Sequence, residues 1–407
     1  MKTLIKIAWR NLWRNRRRTI LTAASVVLAI VLALFMRSMQ FGSYEQMIQA
    51  GVNQVGYLEI HSKGFWKDQS IDKAFFDDNK INRTLKDTKG ISLALPELQT
   101  FSLASFKTQT KGVMVSGIDP KKENLQTKIA SKIVKGNYLS NESGNVLIGD
   151  NLAQYLKIGV GDSLVLIGQG FRGVTAYGLY KVCGIFHLPS TEMNGQLVYM
   201  NLNDAQYFVY PYQPGLLTAI SIFPTDPSQS DNIKVSLEKQ IGKNYEVIGW
   251  QKMLSDMLQT IKVDNVSGQL MLFVLYIIAA FGIFSTILMM TIERKKQFAV
   301  MISIGMQRRK LISVSIIETF IITLIGIIIG LIIITPILVY LHLNPITFTG
   351  GMAKMYEEFN IEPILPFSIK APIFFNQIFI VLGLSLLSAL YPIIYISKFN
   401  ILKAFRH

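Results

Sequence analysis

The chain has 407 residues, half of them apolar, and a formal net charge of +15. The whole excess of positive charge lies in residues 1–18, 293–310 and 397–407, and each of these segments adjoins a long apolar run. Basic residues at the ends of apolar runs mark the cytoplasmic side of a membrane protein. The charge therefore predicts membrane topology and not nucleic-acid binding.

Four apolar runs are long enough to cross a bilayer as helices, which takes roughly 18–20 residues. Three of them carry no charge, and the third in chain order carries one, Glu318. The first run follows three arginines, a shape that signal peptides share, but no small-residue cleavage site follows it, so we predict an uncleaved span. The predicted spans are residues 19–40, 266–292, 311–341 and 371–397.

An even number of spans places both termini on one side, and the basic segments put that side in the cytoplasm. Basic residues and tryptophans recur every four positions in residues 1–18, which predicts an amphipathic helix at the lipid headgroups. The other assignments are an external domain at residues 41–265, a cytoplasmic loop at 293–310, an external loop at 342–370 and a cytoplasmic tail at 398–407.

The external domain alternates short apolar and polar runs. Its flanks, residues 41–110 and 204–265, follow a β-α-β pattern, with a helix predicted over residues 72–86. Residues 111–203 contain strands and glycine-marked turns, and the glycine-rich part of them is interpreted as a long hairpin and not as a nucleotide cradle. The expected fold is an α-helical membrane protein with four transmembrane helices and a large extracytoplasmic α+β domain between helices 1 and 2. In that domain a β-rich subdomain is inserted into a mixed α/β one.

No sequence pattern of an enzyme is present. The phosphate-binding loop G-x-x-x-x-G-K-[ST] does not occur, so the chain is not expected to hydrolyse nucleotide itself. The four histidines lie far apart in sequence, without cysteines or carboxylates at ligand spacing, so no metal site is expected. The single cysteine, Cys183, is expected to be a buried and inert thiol.

Six stretches in order along the chain carry a family resemblance. They include Ala-Trp-Arg-Asn-Leu-Trp-Arg before the first span and Glu-Arg-Lys-Lys-Gln-Phe-Ala-Val-Met-Ile-Ser-Ile-Gly after the second. Together they resemble the FtsX-like permease family of ABC transporters, which includes the MacB-type and lipoprotein-releasing permeases. Gln297, Ser303 and Ile401 depart from the family pattern. The stretches are residues 8–19, 139–162, 181–186, 197–206, 293–306 and, taken as one, 391–392 with 397–406.

The resemblance implies a membrane subunit that works with two copies of a separate ATPase, which would hold the ATP and magnesium that this chain does not bind. It also implies a second permease copy, identical or paralogous, in the inner membrane. The cytoplasmic loop would form a coupling helix that docks on the ATPase, and its apolar face at i, i+3, i+4 and i+7 fits such a helix. An interfacial helix lying in lipid is the alternative. The predicted coupling residues are Glu293, Arg294, Phe298, Ala299, Met301, Ile302, Ile304 and Gly305.

The layout is closest to the lipoprotein-releasing permeases, so release of lipoproteins from the outer leaflet of the inner membrane is the leading hypothesis. A periplasmic lipoprotein carrier that docks on the hairpin would fit this hypothesis. The alternatives are a MacB-like exporter of peptides or drugs and an FtsX-like regulator of a cell-wall hydrolase. Residues assigned to a substrate cavity in contact with membrane lipid are Val27, Ala33, Met36, Met271, Leu275 and Ile278.

Two intramembrane features have competing interpretations. Glu318 is expected either to pair with a nearby Arg or Lys and hold helices together, or to take part in transport directly. Thr319, Thr323, Gly326 and Gly330 repeat small residues every three or four positions, which favours close helix packing over substrate binding.

Overall fold

A computed structural model describes residues 2–14, 16–140, 142–188, 191–358 and 363–398. The chain divides into two compact units. The helical unit contains the residues up to Gln46, Thr260–Thr347 and the residues from Ile364 onward, and the α/β domain contains Met47–Gln259 and Phe348–Pro363. Most of the predicted cytoplasmic tail, from residue 399 onward, lies outside the described residues.

The helices alternate between very long and short ones. In chain order they are α1 Lys2–Arg14, α2 Arg16–Val55, α3 Phe65–Asp68, α4 Asn79–Asp87, α5 Pro120–Thr127, α6 Asp150–Leu156, α7 Thr191–Gln196, α8 Leu202–Val209, α9 Ser230–Gln240, α10 Trp250–Met253, α11 Ser255–Glu293, α12 Lys295–Ser303, α13 Arg308–Leu343, α14 Gly351–Glu358, α15 Ala371–Ser388 and α16 Leu390–Ser397.

Within the described residues, four helical segments are long and apolar enough to span a membrane: α2, α11, α13 and the α15–α16 pair. The 40 residues of α2 and the 39 of α11 correspond to roughly 60 Å of helix each, about twice the thickness of the hydrocarbon core. The spans predicted for these two helices are shorter, because hydropathy detects only the part of a helix that matches the lipid. The last span is interrupted at Ala389, where α15 ends and α16 begins.

The helical unit is held by close packing of α2 against α13. A Cβ atom built on Gly326 would lie 2.7 Å from the Cβ of Val26, and one on Gly330 would collide with Ile30. Both glycines thus let the two backbones approach where a larger residue would separate them. The sequence prediction that this small-residue stripe serves packing is confirmed. Around it lies an apolar core that contains Val26, Ile30, Leu272, Ile327 and Val381.

The strands form one large sheet and two small ones. They are β1 Leu58–Ser62, β2 Phe75–Phe76, β3 Ile91–Phe106, β4 Gln109–Ile118, β5 Ile133–Gly136, β6 Asn145–Gly149, β7 Ser163–Gln169, β8 Thr175–Phe186, β9 Leu197–Asn201, β10 Leu216–Leu217, β11 Ala219–Pro224, β12 Tyr245–Gly249, β13 Ile346–Thr347 and β14 Ile364–Leu365.

The large sheet has the order β12-β1-β11-β3-β4-β9-β6-β8-β5, and β7 pairs with β3 and β8. The 16-residue strand β3 joins its two halves: residues 91–97 pair with β11 and residues 98–106 pair with β4. The parallel pairs β4·β9 and β6·β8 lie in the second half.

The boundaries of the inserted subdomain differ from the predicted 111–203. The core of the β-rich half includes Leu98 and Ala104 of β3 and Ala205 and Phe208 of α8, which were assigned to the flanks. Since β3 runs through both halves, sequence alternation alone cannot show where its pairing partner changes. The predicted hairpin is present as the antiparallel pair β7·β8.

The predicted helix over residues 72–86 is also shorter than expected. Residues 71–73 form one 3₁₀ turn, β2 follows, and α4 begins at Asn79. The carboxylate of Asp78 accepts a hydrogen bond of 2.9 Å from the backbone N–H of Lys80 and so caps the helix. Residues 75–76 form a strand because they pair with β10.

Candidate functional site

The basic end of the helical unit contains a buried ion pair. Arg294, between α11 and α12, is bonded to the carboxylate of Glu318 on α13, and both side chains are about 5% exposed. Asn11 on α1 donates a second hydrogen bond of 2.8 Å to Glu318. α1 and the junction of α11 and α12 are therefore both bound to one carboxylate on α13. This matches the interpretation in which Glu318 pairs with a nearby base and holds helices together.

A second layer of contacts surrounds this pair. Arg14 donates a hydrogen bond of 2.6 Å to the side-chain oxygen of Gln297. The guanidinium of Arg294 lies 5.5 Å from the ring centre of Phe298. Glu293 pairs with Arg18 at the start of α2. Glu293, Arg294 and Gln297, at and just after the end of α11, therefore bind within the helical unit.

The apolar face of α12 is buried inside the chain and not exposed to a partner. Phe298 and Ala299 are at most 2% exposed and pack with Leu311 of α13 and Ile396 of α16. Met301 and Ile302 are partly buried in the same cluster. The i, i+3, i+4, i+7 pattern thus marked the face that anchors α12, and the assignment of Phe298 and Ala299 to a partner surface does not match their burial.

The exposed residues of this segment lie at the end of α12. Ile304 is 81% exposed, and Gly305 has a φ of +97°, a left-handed conformation that ends the helix and that glycine adopts without strain. Val300 is 45% exposed one turn earlier. The rest of the described chain therefore leaves the apolar side chain of Ile304 largely uncovered.

The six residues assigned to a substrate cavity do not form one surface. Val27 and Met36 are nine residues apart, which at about 100° per residue puts them on opposite sides of α2. Ala33 is fully buried in the bundle core, whereas Met271 and Ile278 of α11 are more than 60% exposed. Leu275 packs partly against the bundle core. Hydropathy identifies apolar helices but does not reveal which side of each helix faces its neighbours.

A buried polar cluster in the α/β domain was not predicted. Strand alternation directs Leu58 and Ile60 of β1 towards α4 and α9, and directs Glu59 and His61 to the other face of the sheet. Nδ1 of His61 lies 2.9 Å from the carbonyl oxygen of Thr218, and Nε2 lies 2.8 Å from the carboxylate of Glu59. Ser221 donates a hydrogen bond of 3.1 Å to the same carboxylate. The sequence feature that could have predicted this cluster is the pair of polar residues, Glu59 and His61, at alternate positions of β1.

Burial and mutual contacts shift the pKa values of several groups in and next to this cluster. Burial alone would lower the pKa of His61, but the hydrogen bond and charge of Glu59 together outweigh it and raise that pKa. Desolvation raises the pKa of the neighbouring Glu97, whose carboxylate accepts a hydrogen bond from Ser116. Burial and the charge of Glu97 raise the pKa of Glu123 to about 7. The cluster therefore retains protons that exposed groups would release.

The remaining reactive groups form no chemical site. Burial raises the pKa of Cys183 to about 11, and its thiol donates to the carbonyl oxygen of Val146, as expected for an inert cysteine. Within the part of the chain that the structure describes, no three His, Cys, Asp or Glu side chains are placed to hold a metal ion.

Similar proteins were found by sequence and by structure. Residues 19–241 match the family model of the MacB-like periplasmic core domain, and residues 270–401 match the model of the FtsX-like permease C-terminal. The lipoprotein-releasing system transmembrane protein LolC of Xylella fastidiosa is 23% identical over 54% of this chain and 54% of its own length. The chain thus spans about half the length of this relative.

LolC of Haemophilus influenzae is 23% identical over 70% of this chain and 68% of its own. The putative hemin transport system permease protein HrtB of Staphylococcus haemolyticus is 25% identical over 55% of this chain and 58% of its own. Among solved structures, the periplasmic region of MacB from Actinobacillus actinomycetemcomitans is 11% identical with a TM-score of 0.36, over 52% of this chain and 98% of that one.

The model of the periplasmic core domain covers more than half of the chain, and the permease model covers the three later membrane helices. Both agree with the four apolar helices and the mixed α/β domain between the first two. The chain therefore belongs to the FtsX-like permease family, with a MacB-like periplasmic core domain.

Proposed function

We propose that this chain is the membrane subunit of an ABC transporter that transmits mechanical movement to its external domain. A separate ATPase, present in two copies, drives it, and a second permease copy, identical or paralogous, completes the complex. The basic end faces the cytoplasm, both termini lie there, and the α/β domain is periplasmic. The chain itself carries no catalytic site and binds no ATP.

The observation that carries this proposal is the construction of the basic end. α12 is held by a buried ion pair and by its apolar face, and it presents an almost fully exposed Ile304 to the cytoplasm. A helix fixed in this way moves together with α13 when its tip is pushed. α2 and α11 extend roughly 30 Å beyond the thickness of the hydrocarbon core, so they are suited to carry the movement outward.

The ATPase contact is tested with Ile304→Glu. A carboxylate at the tip has no place in an apolar groove, so we expect at least tenfold less ATPase to co-purify with the tagged chain from native membranes. Ile304→Leu keeps the apolar surface and is expected to retain the ATPase. Met301→Glu is a poorer test, because Met301 packs inside the chain and its loss would disturb α12 itself. Normal ATPase recovery with Ile304→Glu would refute the contact.

For the substrate, we propose lipoproteins released from the outer leaflet of the inner membrane. The support is the similarity to relatives named as lipoprotein-releasing transmembrane proteins. The test is purification of the complex from native membranes, followed by mass spectrometry of any acylated protein that it retains. Release of that protein from spheroplasts should require ATP and an intact Ile304, and a periplasmic carrier that docks on the β7–β8 hairpin would accelerate it.

MacB-like export from the periplasm is the second candidate, favoured by the match of residues 19–241 to the MacB-like core domain. It predicts that the complex retains a membrane-fusion adaptor and no acylated protein. The same purification therefore decides between the two substrates.

A further inference from the structure

The outer side of the helical unit carries an apolar groove between α1, α2 and α13. Its volume is about 630 Å³ and its walls are almost entirely hydrocarbon. Leu12 and Ala23 form a buried floor. The walls include Trp9, Trp13, Ile20, Leu28, Ile329 and Ile333.

The groove has a cationic end. Arg16 lines it at the start of α2, and its guanidinium lies 5.8 Å from the ring centre of Trp13. Arg14 and Arg18 bind Gln297 and Glu293, while Arg16 and Arg17 are exposed. Residues 1–18 contain no acid that could neutralise these arginines. An anion that reaches the groove therefore meets Arg16 first.

The groove is longer than the hydrocarbon part of one leaflet of a bilayer. From Arg16 to Val31, which also lines it, α2 rises roughly 22 Å, whereas half of the hydrocarbon core is about 15 Å. Trp9 and Trp13 lie at the level where tryptophan prefers the boundary between headgroups and chains. The groove thus runs from the headgroup region to beyond the midplane, and only a long hydrocarbon chain covers it along that length.

We propose that this groove is a binding site for one anionic phospholipid of the leaflet at the basic end. An acyl chain lies in the surface groove that α1, α2 and α13 flank, and the lipid phosphate binds Arg16. Anionic lipids are enriched in the cytoplasmic leaflet, which is the leaflet that the basic segments face. The inference concerns a structural lipid and does not depend on the substrate of the transporter.

A bound chain would also fix α1. The hydroxyl of Thr19 donates a hydrogen bond of 2.9 Å to the carbonyl oxygen of Leu12, which closes the corner between α1 and α2. Asn11, next to Leu12, is bonded to Glu318. A lipid that packs against Trp9 and Trp13 therefore supports the helix that completes the Arg294–Glu318 site.

The test is native mass spectrometry of the purified full chain in detergent with equal amounts of phosphatidylglycerol and phosphatidylcholine. We expect one retained phosphatidylglycerol, at least tenfold above phosphatidylcholine. Ala24→Trp fills the groove and should abolish retention. If Trp at this position impairs folding, the smaller substitution Ala24→Leu should still reduce retention. Ile278→Trp, on an exposed face of α11, should change nothing.

The contribution of the Arg16 charge is tested by comparing substitutions at two neighbouring arginines. Arg16→Gln should weaken retention about fivefold, the usual value for one basic residue at an anionic membrane surface. Arg17→Gln removes the same charge one residue away, outside the groove, and should have little effect. Equal retention of both lipids, or equal effects of the two substitutions, would overturn the proposal.

Two further outcomes would also contradict it. Displacement of the lipid by glycerol 3-phosphate would show that only the headgroup is bound. A disulfide between two copies of the Ala24→Cys chain, in a Cys183→Ser background, would show that the groove is an interface between permeases.

Discussion

The two units of this molecule bury carboxylates in opposite ways. In the helical unit, the guanidinium of Arg294 donates a hydrogen bond to the buried carboxylate of Glu318. In the α/β domain, Glu59 faces His61, and the nearby Glu97 and Glu123 have raised pKa values because they are desolvated beside other acids. One unit pairs its buried acid with a guanidinium, and the other has groups with raised pKa values that retain protons.

The two kinds of burial act on stability in different ways. In the helical unit, the Arg294–Glu318 pair joins α1, the junction of α11 and α12, and α13. In the α/β domain, His61, Glu97 and Glu123 bind protons more tightly than they would in the unfolded chain. The stability of the α/β domain is therefore expected to depend on pH through these groups.

The largest effect is expected for Arg294→Gln. It leaves Glu318 buried without its charge partner, which typically costs about 3–5 kcal/mol. Thermal melting of the detergent-solubilised chain should show the loss, and the double substitution with Glu318→Gln should recover part of it. Arg309→Gln removes the same charge from an exposed position in the same loop and serves as the control. Equal melting of all three variants would show that the pair does not support the helical unit.

The second prediction concerns pH. The folded-state pKa values of His61, Glu97 and Glu123 are raised, so the folded α/β domain binds more protons than the unfolded one. Its stability should therefore fall as pH rises from about 4.5, the unfolded value for glutamate, through about 7. Glu123→Gln should flatten this fall and stabilise the domain at pH 8 by at most about 3 kcal/mol.

The fluorescence of Trp66 and Trp250 can follow this unfolding when Trp9 and Trp13 of α1 are replaced by Phe. Glu238→Gln, on the exposed side of α9, is the control with the same charge change. A steeper fall in the Glu123→Gln chain, or stability that rises with pH, would contradict the prediction.

The comparison also shows what sequence could and could not predict. Hydropathy and basic flanks located four membrane helices, because both signals depend on composition alone. The periodicity of α12 identified its apolar face correctly, but not that Leu311 and Ile396 cover this face. Only tertiary contacts distinguish a face that anchors a helix from one that binds a partner.

The second limit of prediction from sequence was the pairing of residues that lie far apart in the chain. Glu318 stood out as the one acid within a predicted span, yet its partners Arg294 and Asn11 lie 24 and 307 residues away. His61 was visible as an isolated histidine, whereas its contact with Thr218 depends on β11 lying beside β1. The groups that form these sites come together only through strand order and helix packing.

The third prediction tests packing in the helical unit with two glycine-to-alanine substitutions that should change the stability in opposite directions. Gly326→Ala places a Cβ 2.7 Å from Val26, so overpacking should cost about 1–3 kcal/mol. Gly383→Ala on α15 has nothing within 4 Å of the new methyl group, and should instead stabilise by about 0.5–1 kcal/mol because alanine is the better helix former. Melting temperatures of the two variants should move in opposite directions. Stabilisation by both substitutions would mean that α2 and α13 can separate without loss.

The smallest effect is expected for the pair Arg18–Glu293, which lies near the buried pair but is about a third exposed. Solvent screens such a pair, so its contribution should be about 0.2–1 kcal/mol. A double-mutant cycle of Arg18→Gln and Glu293→Gln, measured by melting at low and high salt, isolates the coupling. The coupling should shrink at high salt, whereas that of Arg294 with Glu318 should persist, because salt screens buried charges much less. Equal salt dependence of the two cycles would place both pairs in the same solvent environment. It would remove the contrast between the buried pair Arg294–Glu318 and the partly exposed pair Arg18–Glu293.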